Sequence, residues 1–232
     1  MVILETNNLT KTYKQKQVLN GLSFKLEQGQ VLGILGPNGS GKSTALGILL
    51  GVIKPTTGSY RWYDHKHASN DLAVGALLEK PCFYPYLNAR KNLQLIATIR
   101  GITNSHTAIS KTLDLVGLED DSKVVFSEFS SGMQQRLGFA AAFLGDQEVM
   151  ILDEPNNHLD AKGIVEIRDL IKKLASQGKT FIIASHILAE VEKFCSHVII
   201  IKNGTTLDQG ALPDLLKYRP LEEYYLNLTG GL

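Results

Sequence analysis

The sequence lacks three features that would point to particular classes of protein. It has no excess of charge, with 24 Lys and Arg against 23 Asp and Glu, so few cations are free to neutralise phosphates and no nucleic-acid partner is expected. Its two cysteines, Cys82 and Cys195, are far apart and in no metal-ligand spacing, which favours a reducing compartment. No apolar run approaches the roughly 18 to 20 residues of a membrane-spanning helix, so no transmembrane segment is expected.

The hydrophobic pattern predicts an α/β fold. Short, β-branched apolar runs at 31–35, 149–152 and 180–184 each lead into a turn and then into a helix-like stretch. Repetition of strand, crossover helix and strand is typical of a parallel sheet. With 232 residues, the chain is long enough to bury a full core as a single domain over 1–232.

Two other regions depart from this pattern. Residues 2–9 and 18–26 alternate between apolar and polar side chains, which predicts an N-terminal antiparallel β-subdomain. Residues of about 80–140 have little strand signal, and helical spacing at 89–100 and 105–115 predicts an inserted α-helical subdomain.

The C-terminal region is predicted to be a helical tail over about 205–232. A tight turn at Asn203-Gly204 indicates a hairpin between 198–202 and 205–208, ahead of helical spacing over 212–228.

A phosphate-binding loop is predicted at residues 36–44, which fit the pattern G-x-x-x-x-G-K-[ST] between an apolar strand and a helix. Backbone N–H groups of such a loop form a nest for anions at a helix N-terminus. Lys42 would place its charge on the β- and γ-phosphates, Ser43 would bind magnesium, and Thr44 would bind the α-phosphate. A chance Gly-rich turn is the alternative. The ATP-binding residues expected here are Gly36, Pro37, Asn38, Gly39, Ser40, Gly41, Lys42, Ser43 and Thr44.

A pair of acids, Asp153 and Glu154, ends the apolar strand at 149–152. Parallel sheets bind ligands at the carboxyl ends of their strands, so Asp153 would lie beside the phosphate loop and bind magnesium. Glu154 would lie near the γ-phosphate, where a group that polarises the attacking water is needed. The alternative is that the two acids only cap the next helix.

With these motifs the chain resembles the nucleotide-binding domain of the ATP-binding-cassette (ABC) family over nearly its whole length. Four further elements occur in the family's order: Tyr13 as the aromatic that stacks on adenine, residues 129–136 (FSSGMQQR) as the signature motif, residues 156–160 (NNHLD) as the D-loop, and His186 as the switch histidine. Taken alone, Tyr13 could be a packing residue, and His186 and Ser130-Ser131-Gly132 could be ordinary helix caps.

The resemblance implies ATP and Mg²⁺ as ligands and a working pair of nucleotide-binding domains, either two copies or this chain with a paralogue. Ser130, Ser131, Gly132 and Asp160 would act in trans on the partner's ATP, with Asp160 coupling the two sites. His186 would contact the γ-phosphate and hold Glu154 and the attacking water in place.

The chain departs from the family's usual motifs at several positions. Phe129, Ser131 and Met133 replace Leu, Gly and Gln of the signature motif, and Glu79 replaces the Gln that ends the strand at 73–78. Glu79 would join Ser43 and Asp153 as a magnesium ligand, and the expected catalytic residues are Glu154, His186, Lys42 and Glu79. This variant, together with Pro81, Tyr84-Pro85 and Asn92-Leu93, is similar to the bacitracin and lantibiotic self-protection branch of the family.

The resemblance therefore implies an ATPase subunit of a bacterial ABC transporter, most simply an exporter of a peptide antibiotic or another amphiphilic substrate. It would lie at the cytoplasmic face of the membrane, attached through a separate permease that docks near residues 79–87. Phe83, Tyr84 and Tyr86 in this segment are either docking residues or core. A non-transport cassette acting on a soluble macromolecule and an ATP-binding module without turnover are the alternatives.

Overall fold

The computed structural model describes residues 1–63, 74–78, 82–120, 123–145, 147–217 and 219–230. Within these ranges the strands are β1 (Val2–Tyr13), β2 (Lys16–Glu27), β3 (Val31–Leu35), β4 (Thr57–Trp62), β5 (Val74–Leu77), β6 (Val149–Asp153), β7 (Thr180–Ser185), β8 (His197–Lys202) and β9 (Thr205–Ala211). The helices are α1 (Lys42–Leu49), α2 (Ala89–Ile99), α3 (Ser105–Val116), α4 (Ser131–Phe143), α5 (Ala161–Ser176), α6 (Leu188–Phe194), α7 (Leu212–Leu215) and α8 (Leu221–Thr229).

The described strands form two sheets. One is antiparallel with the order β2-β1-β4, and the other is six-stranded with the order β5-β6-β7-β3-β8-β9. In the larger sheet β5, β6, β7, β3 and β8 are parallel, and only β9 pairs antiparallel, through a tight turn at Asn203-Gly204. Because the strands are parallel, the carboxyl ends of β3, β6 and β7 lie at one edge, where parallel sheets bind ligands.

The larger sheet is covered on both faces, as continuous apolar runs predict. Successive residues of its strands enter different cores: Leu152 packs with the helices α2, α3 and α4, whereas Ile151 packs with α1 and the antiparallel sheet. Every residue of β3, β6 and β7 is buried. These three strands therefore form a rigid base for the turns that follow them.

The predicted fold class is confirmed, with two differences in detail. The sequence pattern does not predict β4, which pairs with β1 at the edge of the antiparallel sheet. The prediction of a helical tail from about 205 is wrong for residues 205–211, because β9 hydrogen-bonds with β8 along this whole stretch. Helical structure in the tail begins at Leu212 and is interrupted before Leu221. No helix of the described ranges is long and apolar enough to cross a membrane.

Candidate active site

A cleft of about 860 Å³ opens at the carboxyl edge of β3 and β6. Its lining combines the predicted phosphate loop with the segment that follows β6. The residues concerned are Asn38, Gly39, Gly41, Lys42, Ser43 and Thr44 from the loop, and Asp153, Glu154, Asn157 and His158 from the β6 segment. The fold thus brings together two sequence motifs that lie more than one hundred residues apart.

The phosphate loop has a shape that glycine alone allows at two positions. A Cβ on Gly36 would lie 2.2 Å from the carbonyl oxygen of Ile201, so the loop can approach β8 only without a side chain there. Gly41 has a φ of 107° at the start of α1, a conformation that residues with a side chain rarely adopt. The loop is therefore fixed by close backbone contacts.

The loop presents backbone donors to the cleft. Among the described residues, no hydrogen bond uses the N–H groups of Gly39, Gly41, Lys42, Ser43 or Thr44, and all of these residues line the cleft. N–H groups at the start of a helix, together with the positive end of its dipole, form a site for anions. This arrangement suits a phosphate chain.

Lys42 adds a buried positive charge to this anion site. Its side chain is 6% exposed, and its ammonium group donates to the carbonyl oxygen of Gly36 at 2.8 Å. The same ammonium lies 3.8 Å from Oε1 of Glu154. A carbonyl oxygen and a carboxylate therefore both hold the ammonium group beside the loop.

Glu154 lies between Lys42 and His186. Its backbone N–H donates to the carbonyl of Ala184 at 2.9 Å, which extends the pairing of β6 with β7. Nδ1 of His186 lies 2.8 Å from Oε2 of Glu154, and the backbone N–H of His186 also donates to this oxygen at 3.3 Å. Glu154 and His186 directly follow β6 and β7, and Lys42 begins the helix after β3, so the parallel sheet brings the three residues together.

The oxygen donors at the cleft suit a hard cation. Asp153 is the last residue of β6 and is 2% exposed, and Ser43 begins the first turn of α1; both line the cleft. A carboxylate and a hydroxyl beside a phosphate site are the donor types that Mg²⁺ takes. Glu79, the third predicted ligand and a predicted catalytic residue, lies outside the described residues.

Several predicted site residues do not line the cleft of this chain as far as the structure describes it. Tyr13 ends β1 with its ring 45% exposed and the ammonium group of Lys11 4.8 Å from the ring centroid. Ser130 caps α4 by accepting from the N–H of Met133 at 3.2 Å, and Asp160 caps α5 by accepting from the N–H of Gly163 at 2.8 Å. Ser131 and Gly132 lie in the first turn of α4.

The sequence left open whether Phe83, Tyr84 and Tyr86 are core or docking residues, and the structure separates them. Phe83 packs against the core with its ring centroid 5.2 Å from that of Phe126. Tyr84 and Tyr86 are 53% and 68% exposed. Sequence reasoning missed Cys82, which lines the cleft; its only signal is its position three residues after Glu79.

Comparison with known proteins extends these local likenesses to the whole chain. The sequence pattern of the ABC transporter family matches residues 19–157. The bacitracin transport ATP-binding protein BcrA of Bacillus licheniformis is 42% identical over 212 residues, which cover 89% of this chain and 69% of that protein. The lantibiotic transport ATP-binding protein SrtF of Streptococcus pyogenes is 37% identical over 203 residues, covering 87% of this chain and 88% of that protein.

Solved structures give the same result for the fold. The ATP-binding subunit of an ABC transporter superposes with a TM-score of 0.87 at 27% identity, covering 98% of this chain and 99% of the other. A dimeric ATP-binding cassette, MJ0796, in a post-hydrolysis state with ADP and phosphate, superposes with a TM-score of 0.80 at 27% identity over 90% of this chain and 99% of that one. The phosphate loop and the paired acids line one cleft, and His186 lies 2.8 Å from Glu154. The chain belongs to the ABC transporter family as an ATP-binding domain.

Proposed function

We propose that the chain hydrolyses ATP in this cleft and that hydrolysis drives a separate membrane permease. The observation that carries the proposal is the position of Glu154, whose carboxylate lies beside both Lys42 and His186 at the mouth of a loop suited to phosphates. A carboxylate that is fixed next to a phosphate site can orient and polarise an attacking water molecule.

The proposal gives separate roles to the phosphate loop, Glu154, His186 and the oxygen donors. The loop N–H groups and Lys42 hold the phosphate chain, while Glu154 accepts a hydrogen bond from the attacking water. His186 keeps the Glu154 carboxylate in place through the 2.8 Å contact. Ser43 and Asp153, with Glu79 as a further candidate, would hold Mg²⁺, which neutralises charge on the phosphates when bound.

The site is completed by a second nucleotide-binding domain. Ser130, Ser131 and Gly132 begin α4 outside the lining of the chain's own cleft, so they are available to face the nucleotide of a partner. Asp160, which caps α5, would couple the two sites, and the ring of Tyr13 would stack on adenine. The dimeric state of the related cassette MJ0796 supports this pairing, and the second domain is a copy of this chain or a paralogue.

The proposed substrate is inferred from the names of two relatives, and the proposed membrane partner from exposed aromatic residues on the surface. BcrA and SrtF are named for transport of bacitracin and of a lantibiotic, so we infer export of a peptide antibiotic or another amphiphilic compound. The permease would dock near residues 79–87, where Tyr84 and Tyr86 expose aromatic rings suited to a helix of the partner. The chain would then lie at the cytoplasmic face of the membrane.

Co-purification tests the transporter assignment. From native membranes in mild detergent, we expect the tagged chain to recover a polytopic membrane protein in stoichiometric amount. Replacing both Tyr84 and Tyr86 by Ser should lower that recovery by at least about 10-fold, because each buried aromatic ring contributes on the order of 1–2 kcal/mol to such an interface.

Leu207→Ser is the control for the loss of an exposed apolar side chain, since Leu207 is 38% exposed on β9. It should leave recovery unchanged. Recovery of soluble partners alone, such as ribosomal proteins, would contradict the transporter assignment and favour a non-transport cassette.

A further inference from the structure

The turn that carries Glu154 has an unusual backbone conformation. Glu154 has a φ of 48° and His158, four residues later, a φ of 66°, although neither is glycine. Side-chain-bearing residues occupy this left-handed region at an energetic cost, so surrounding contacts must hold them there. Two such residues in one short turn make its shape depend on neighbours elsewhere in the chain.

Gln135 on α4 supplies one of these neighbours. Its side chain is 2% exposed, and its amide Nε2 donates to the carbonyl oxygen of Pro155 at 3.0 Å. Pro155 directly follows Glu154, so this bond joins the signature helix to the peptide next to the carboxylate. A buried amide group is costly to the fold unless it has a hydrogen-bond partner. This bond therefore fixes the direction in which the Gln135 amide points.

The start of α4 also lies near the same turn. A Cβ on Gly132 would lie 3.7 Å from the carbonyl oxygen of His158, so a single added carbon would reach van der Waals contact with the turn. The turn after β6 therefore approaches α4 near His158 and is hydrogen-bonded to it at Pro155, beside Glu154.

We propose that Gln135 is a positioning residue for ATP hydrolysis, acting on Glu154 through Pro155; the inference rests on the role proposed for Glu154. Without the amide donor, the carbonyl of Pro155 loses its buried partner and the turn is free to relax. The carboxylate then moves relative to Lys42 and His186. The phosphate loop, which follows β3, does not contact Gln135 through any hydrogen bond in the described residues, so ATP binding is retained.

The test compares Gln135→Met with a matched control. Methionine keeps the length and volume of the side chain but cannot donate. Gln147 is also buried, 8% exposed, and its Nε2 also donates to a backbone carbonyl, that of Leu144, at 3.0 Å. It lies at the opposite end of β6 from Glu154, so Gln147→Met removes an equivalent bond without reaching the turn.

For Gln135→Met we expect kcat to fall by about 10-fold or more, since displacement of a reacting group by about 1 Å can cost 100-fold. The KM for ATP should stay within about 2-fold. Both substitutions should lower the thermal midpoint of unfolding by a similar amount, because each removes one buried hydrogen bond. Gln147→Met, however, should leave kcat within about 2-fold of the wild-type value. If the two variants lose kcat equally, the role of Gln135 is structural and the proposal is overturned.

A double-mutant cycle with Glu154→Gln separates this inference from the proposed function. Single-turnover phosphate release from radiolabelled ATP detects slow rates in all four proteins. If Gln135 acts through Glu154, Gln135→Met should have no further effect in the Glu154→Gln background. An equal fold-loss in both backgrounds overturns the inference alone. A wild-type rate for Glu154→Gln overturns the role of Glu154 and, with it, everything that depends on that role.

Discussion

The two partners of the Glu154 carboxylate, Lys42 and His186, differ in how deeply they are buried. Lys42 is buried and bonded to the loop carbonyl of Gly36, whereas the side chain of His186 is half exposed, with Glu154 as its hydrogen-bond partner. The lysine contact, to Oε1, is 3.8 Å and the histidine contact, to Oε2, is 2.8 Å. The histidine therefore makes the closer contact and is the more exposed of the two partners.

We expect His186→Ala to lower kcat by about 100-fold, in the range found for loss of a group that orients an acid–base residue. ATP affinity should change little, because the phosphate loop supplies most of the binding contacts. Phosphate release and nucleotide titration on the same sample separate the two effects. His106→Ala, an exposed histidine on α3, is the control and should keep the wild-type rate. A His186→Ala enzyme with half of the wild-type kcat would contradict the role.

At this scale the sequence predicts residues that belong to local motifs and fails for residues that meet only in the folded chain. The phosphate loop and the paired acids follow apolar strands, so their meeting at one sheet edge follows from topology. The bond between Gln135 and Pro155 joins positions 20 apart, where no spacing rule applies. Tyr13 shows the converse, since its motif position is clear but its ring does not line the cleft within the described chain.

Among the elements, the buried strands are the ones that the sequence predicts. In β3, β6 and β7 every side chain is buried, and the resulting apolar run is visible without a structure. β4 is an edge strand in which no residue is fully buried, and it includes Gly58, so it carries neither an apolar run nor a clear alternation. Its pairing with β1 depends on tertiary packing, which cannot be predicted from the local sequence.

The packing of β5 against α4 gives a prediction for the elements. A Cβ on Gly75 would lie 1.9 Å from the carbonyl oxygen of Ala142, so Gly75→Ala must push the strand and the helix apart. We expect a loss of about 1–3 kcal/mol in the free energy of unfolding, as is typical of overpacking, measured by urea unfolding.

Gly210→Ala on β9 is the matched control, because its added methyl would meet nothing closer than Leu215 at 3.6 Å and its φ is not positive. Its effect should stay within about 0.5 kcal/mol. Equal stability of the two variants would show that β5 and α4 are not as close as described.

In the whole molecule, the proposed nucleotide site lies where two cores meet the same sheet. The phosphate loop leads into α1 on one face, and the signature helix α4 packs on the other, while β6 ends between them with Asp153 and Glu154. The helices α1 and α4 therefore pack on opposite faces of the sheet that carries the two acids.

The general architecture of the molecule was accessible from sequence because its motifs occur in a fixed order along β3, β6 and β7. The sequence does not predict which of the aromatic residues at 83–86 are buried. Phe83 packs into the core, whereas Tyr84 and Tyr86 are exposed. Three aromatic residues within four positions carry the same local signal, and the packing of Phe83 against Phe126 distinguishes it from the other two.

The most direct test of the account is phosphate release from ATP by the purified wild-type chain and by Glu154→Gln, with ATP binding measured on the same samples. We predict that Glu154→Gln binds ATP with a Kd within about 2-fold of wild type and releases phosphate at least 100-fold more slowly, as expected when the group that polarises water is lost. Equal rates for the two proteins, or no release by the wild type, would contradict the assignment of this cleft as an ATPase site.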